Sequence, residues 1–192
     1  MGSHVGLTSR QLAALQERAR SGDADLGEFR DIELDVERLL DADSRESYLA
    51  EKSAEVRAAL ADAHVILATS RTLIKTDSKD ESLAIARSVS DAVVAVVREA
   101  RAARPAWVVA RGGITSHEVT ANGLGIRRAT VAGQSYPGQI SMFTATNAPA
   151  DVLGVPYVVF PGNVGGPDAL ADVVARIITA QAAAPAAQEN RS

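Results

Sequence analysis

Three short stretches carry residue types that could hold a phosphate group. They are Thr69-Ser70-Arg71, Gly112-Gly113-Ile114-Thr115 and Gly162-Asn163-Val164-Gly165. Each follows directly on an apolar run: His64–Ala68, Trp107–Ala110 and Tyr157–Phe160. Where a strand turns sharply into a helix, backbone N–H groups are left pointing at whatever lies above the turn. Glycine lets that ligand come close, and the helix dipole favours a negative one. Arg71 and Arg111 stand beside two of these ends and could meet phosphate oxygens bidentately, or equally could pair with surface acids. Taken singly, each stretch has a plain counterpart: Gly-Gly before a helix is also a simple turn, Pro161-Gly162-Asn163 also a simple loop, and Thr69-Ser70 also a backbone cap. If the three strands run parallel, however, all three ends share one sheet edge, the usual place for a nucleotide in an open α/β sheet.

Other chemistry finds little support. No strand is followed by Gly-x-Gly-x-x-Gly, and no Gly-Lys-Ser/Thr is present, which argues against ordinary dinucleotide and P-loop sites. His4, His64 and His117 are scattered and propose no metal site. Asp31, Glu33 and Asp35 alternate along a strand as a wet face, and no nucleophile or general base stands out, so no catalytic residue is expected. The chain has no cysteine, which excludes disulfide and thiol chemistry and makes a cytoplasmic setting the expectation. Its formal net charge is −4, with 20 basic and 24 acidic residues intermixed, which argues against non-specific nucleic-acid binding. An anionic ligand must therefore be met by a local site. The apolar runs fall short of the roughly 20 residues of a membrane span, and no signal peptide is visible.

The elements that must position these ends follow from periodicity and capping. Thr8 with Gln11 reads as a capping box opening a helix to about Ser21-Gly22, with Leu12 and Leu15 inward. Phe29–Val36 alternates apolar and charged residues and predicts a strand near a sheet edge. Ser44 or Ser47 opens a helix to about Ala63, and His64–Ser70 predicts a strand covered on both faces. Ser78 with Glu81 caps a helix to about Ala103, with Ile85, Val89, Val93 and Val96 on its apolar stripe. Trp107–Ala110 is the next strand, and Thr115 with Glu118 is a third capping box for a short helix ended by Asn122–Gly125. Arg128–Ala132 and Ile140–Thr144 predict an antiparallel ribbon around Tyr136-Pro137-Gly138. After the strand Tyr157–Phe160, a helix with Pro167 at its first position carries Leu170, Val173, Val174, Ile177 and Ile178 inward. The expected fold is a three-layer α/β/α domain over residues 1–181 with a mainly parallel, mixed sheet, Rossmann-like without the standard motifs, followed by a disordered tail over 182–192.

The order and spacing of these stretches resemble a known family. Thr69-Ser70-Arg71, Gly112–Ser116, Leu124–Ala129, Gly133-Gln134 with Pro137-Gly138, and Pro156 to Gly165-Gly166-Pro167-Asp168-Ala169-Leu170 resemble the C-terminal nucleotide-binding domain of the four-carbon acid sugar kinases. Gly2-Ser3-His4-Val5 with Thr8 and Gln11 looks like that domain's opening, which favours native sequence over a tag remnant. The resemblance implies phosphorylation of threonate, erythronate or 3-oxo-tetronate by ATP with Mg²⁺. It implies ATP contacts at Ser70, at Gly112, Gly113, Ile114 and Thr115, and at Gly162. The family often has Lys where this chain has Arg111, which keeps the charge and changes its shape. The Asp-Asp-x-Thr-Gly motif of the family's N-terminal, sugar-acid-holding domain is absent. The chain is thus expected to be the donor half of a kinase, inactive without a substrate domain in cis or trans; a homodimer is compatible with this. The alternative is a non-catalytic nucleotide-binding or interaction module built on the same fold.

Overall fold

Alternation of strand and helix organises the chain around six strands, seen in a computed structural model that describes residues 6–70, 78–136 and 139–183. In chain order the elements are α1 (Gly6–Arg20), β1 (Phe29–Leu34), α2 (Val36–Leu40), α3 (Arg45–Ala59), β2 (His64–Thr69), α4 (Lys79–Ala100), β3 (Val108–Arg111), α5 (Gly113–Glu118), β4 (Arg128–Tyr136), β5 (Ile140–Asn147), β6 (Pro156–Phe160) and α6 (Ala169–Ala183). A 3-10 turn over Arg101–Ala103 ends α4, and a π-helical turn over Val119–Gly123 extends α5. The expected tail from residue 182 lies outside the described residues from 184 onward, as do Met1–Val5, Arg71 and the Pro137-Gly138 turn.

Strands β1 and β2 pair in parallel, from Phe29 opposite His64 to Leu34 opposite Thr69. The second sheet has the order β3-β6-β5-β4. There β3 and β6 are parallel, with Arg111 opposite Phe160, while β5 is antiparallel to both β6 and β4. Strands β2 and β3 do not pair with each other. They nevertheless run side by side: the rings of His64 and Trp107, at their starts, lie 5.2 Å apart. A largely apolar cavity of about 180 Å³ is lined by Ile66 and Leu67 of one and by Val109 and Ala110 of the other.

Side chains alternate across the strands and divide the core into two layers. Tyr157 joins Ile32, Leu34, Val56, Val93 and Val96 on the face covered by α3 and α4. Val158 and Phe160 join Leu12, Leu15, Leu170, Val173 and Val174 on the face covered by α1 and α6. Buried Ala169 and Ala171 let α6 lie close on its sheet. The result is the expected α/β/α layering with parallel and antiparallel pairing.

Several local expectations change for physical reasons. Helix α1 begins at Gly6, not Thr8; the Thr8 hydroxyl is buried without a hydrogen-bond partner, and Gln11 is used elsewhere. Strand β1 ends at Leu34 because the Asp35 carboxylate accepts from the Glu37 N–H at 2.9 Å and opens the short helix α2. Asp35 is therefore a cap and no part of a wet strand face. Helix α5 begins at Gly113 with Gly112 as its N-cap and no side-chain cap bond, so the Thr115–Glu118 box does not form. The helix starts earlier than the polar residues suggest, because Gly112 adopts φ 102°, a conformation open to glycine. Helix α6 begins at Ala169, two residues after the proline expected to open it. Strands β4 and β5 are each longer than their apolar cores suggest.

Candidate functional site

The register of β3 and β6 brings two of the three glycine-bearing ends together. With Arg111 opposite Phe160, the chain leaves both strands at the same level, and the Gly112 N–H donates to the Phe160 carbonyl at 3.1 Å. Gly112–Thr115 and the loop 161–166 are thus neighbours at one sheet edge. Gly112 is buried, Gly113 is exposed and Thr115 is half-buried. Ser116 locks the corner: its hydroxyl donates to the Ala110 carbonyl at 2.9 Å, and its N–H donates to the Gly112 carbonyl at 2.9 Å. Ile114 lies in the first turn of α5 between Gly113 and Thr115.

Ser70 closes β2 on the other sheet. Its hydroxyl accepts from the Val36 N–H at 3.0 Å, and its own N–H donates to the Leu34 carbonyl at 2.8 Å. Among the described residues no pairing joins β2 to β3, so the register that brings Gly112 and the 161–166 loop together does not extend to Ser70, and the bond to Val36 already gives it a structural task. His117, exposed on α5, and His64, half-buried between the rings of Phe29 and Trp107, stay apart. Burial pushes the His64 imidazole below its ordinary value of 6.5.

Arg111 behaves differently from its sequence expectation. Its side chain is 1 % exposed and turns inward, not toward a surface ligand. The guanidinium lies 4.8 Å from the centre of the Phe160 ring. It donates to the Pro161 carbonyl at 2.8 Å and the Gly162 carbonyl at 3.3 Å, and also to Gln11 Oε1. Its Nε has no partner, and among the described residues no carboxylate pairs with it. Burial alone pushes its pKa down. A buried cation without a counter-charge is costly unless a ligand's negative charge comes to it.

Gln11, 0 % exposed, completes the arrangement from α1. Its amide nitrogen donates to the Val164 carbonyl at 3.0 Å and to the Gly166 carbonyl at 2.7 Å. Sequence reading gave Gln11 to a helix cap and left Arg111 open between a phosphate and a surface acid. The pair lies 100 positions apart, and no local signal joins them.

The geometry defines a class: an α/β domain with a glycine-led helix start, a glycine loop and a buried cation at one edge of a parallel strand pair. Residues 1–170 match the family model of the nucleotide-binding C-terminal domain, and the chain belongs to that family. Among solved structures it is similar to a domain of unknown function, DUF1537, from Bordetella bronchiseptica, a domain-swapped dimer with bound citrate. The likeness there is 26 % identity and a TM-score of 0.67, over 92 % of this chain and 39 % of that one. A putative tRNA synthase from Salmonella typhimurium shares the fold at 21 % identity and a TM-score of 0.64, over 89 % of this chain and 38 % of that one. A Haemophilus influenzae DUF1537 protein does so at 20 % identity and a TM-score of 0.59, over 90 % and 38 %. The chain thus spans about two fifths of the length of these relatives. No curated protein matches it.

Proposed function

We propose that this chain is the ATP-binding half of a sugar-acid kinase, in which the Gly112–Thr115 corner holds the nucleotide's phosphates and Ser70 and Gly162 flank it. The buried, carboxylate-free Arg111 beside the corner carries this reading, because an incoming polyphosphate supplies the missing negative charge. The glycines add support. A Cβ placed on Gly113 or Gly162 would meet nothing within 4 Å, so packing does not demand glycine there, whereas close approach of a ligand does. Mg²⁺ would travel with the nucleotide and neutralise its phosphates; among the described residues no group of three His, Cys, Asp or Glu could hold a metal ion by itself. The acceptor, a four-carbon sugar acid, would be held in line by a separate substrate domain, as phosphoryl transfer requires. The greater length of the related chains is consistent with such a domain. Homodimer formation belongs to the same proposal, and the Bordetella relative forms domain-swapped dimers.

Titration calorimetry with ATP and Mg²⁺ tests the donor site. Heat of binding is expected with the wild-type chain. Gly113→Ala is expected to keep its fold and lose about tenfold in affinity, or about 1.4 kcal/mol. No heat at millimolar nucleotide would exclude the site. Sugar-acid-dependent ADP release on adding an N-terminal substrate domain is the expected sign of the kinase. Binding without such release would reduce the protein to a nucleotide-binding module.

A further inference from the structure

The Pro161–Gly166 loop is held from beneath by two side chains that the resemblance leaves without a role. Four of its carbonyls, those of Pro161, Gly162, Val164 and Gly166, accept hydrogen bonds from Arg111 or Gln11. None of the described peptide bonds is cis, and a planar trans peptide points its C=O and the next N–H in opposite directions. The inward carbonyls of Pro161, Gly162 and Val164 therefore force the N–H groups of Gly162, Asn163 and Gly165 outward. None of these three N–H groups donates to any group among the described residues. Successive outward N–H groups form a concavity that binds anions. The cation that organises them is buried, lacks a counter-charge and keeps an unpartnered Nε.

We propose that Gln11 and Arg111 form a buried latch whose task is to present the N–H groups of Gly162, Asn163 and Gly165 as a second donor set for phosphate oxygens, opposite the Gly112 corner. The inference rests on the nucleotide site proposed above and adds positioning residues and backbone donors to it. Arg111, being buried, acts through the loop and through its uncompensated charge, without touching the ligand. Gln11 is the coupling piece, since one amide accepts from Arg111 and donates to two loop carbonyls. Ligand charge and loop conformation are then linked, because an anion at the outward N–H groups also offsets the guanidinium beneath them.

The test is an amide NMR titration of the full chain with ATP·Mg²⁺ and, separately, with inorganic tripolyphosphate. Both are expected to shift the amides of Gly162, Asn163 and Gly165 together with those of Gly113 and Thr115. Arg111→Met and Gln11→Met are expected to weaken tripolyphosphate binding about tenfold. Arg111→Lys is expected to restore part of the loss, because it keeps the charge while losing the fork. Shifts at Gly113 and Thr115 with none in the loop would overturn the latch and leave the corner standing, as would unchanged affinity in folded Arg111→Met and Gln11→Met. If no amide moves at millimolar ATP, both the nucleotide site and the latch fall. The wild-type shifts decide the matter even if a variant fails to fold.

Discussion

Position 165 shows how tightly single residues constrain the loop. Gly165 adopts φ +77°, and a Cβ there would lie 2.4 Å from the Ala169 Cβ, closer than real atoms come. The loop must therefore pass this close so that α6 can begin at Ala169 while the Val164 and Gly166 carbonyls still reach Gln11. Gly165→Ala is expected to lower stability by about 2 kcal/mol or more through backbone strain and overpacking, read as a lower urea midpoint. Gly113, by contrast, faces open space, so alanine there is expected to be neutral or mildly stabilising in the same assay. At this scale the sequence showed that both positions are glycine. It could not show that one serves packing and the other leaves room, because that depends on neighbours contributed by other elements.

Among the elements, α4 follows its sequence most faithfully. The Ser78 hydroxyl accepts from the Glu81 N–H at 3.1 Å, and Asp80 and Glu81 sit in the positive first turn. Ser78→Ala is expected to cost about 1 kcal/mol, measured as a shifted urea midpoint at constant slope. The helix is legible because cap, dipole and apolar stripe are all local. Helix α1 misleads for the opposite reason: Thr8 and Gln11 have the spacing of a capping box, yet the helix already runs from Gly6 and Gln11 serves the loop. The corner behaves similarly. Thr115 and Glu118 have capping spacing, but Gly112, three residues upstream of Thr115, can leave the strand at φ 102° and start the helix first. Where a side chain has a local and a distant partner available, spacing alone does not choose between them.

For the molecule as a whole, long-range pairs join elements whose residues are far apart in sequence. Arg101, after α4, grips Asp151, before β6, with two bonds of 3.0 and 2.7 Å. The hydrogen bonds from Arg101 hold the Asp151 carboxyl below its ordinary value of 3.8. A carboxyl depressed in the folded state contributes its full stability above that ordinary value and loses it as pH falls through the lower folded value. Asp151→Asn is therefore expected to cost about 1 kcal/mol at neutral pH, with the gap to wild type closing as pH drops below 3.8. Urea titrations at a series of pH values check this, and a gap independent of pH would refute it. Across the layers, β2 and β3 remain unpaired with each other although they run side by side. Alternating strands and helices give no hint of that division.

The sequence by itself determined the α/β alternation, the antiparallel ribbon, most helix faces and the three polar strand ends. Each of these rests on periodicity or on contacts within a few residues. Tertiary structure alone decided what those ends are made of. It set Arg111 inward over Phe160, gave Gln11 to the loop instead of a helix cap, and bound the Ser70 hydroxyl to Val36. The reason is physical: a buried guanidinium takes whatever acceptors the packed layers bring within reach. Here those are carbonyls 50 and 51 positions away and an amide 100 positions away.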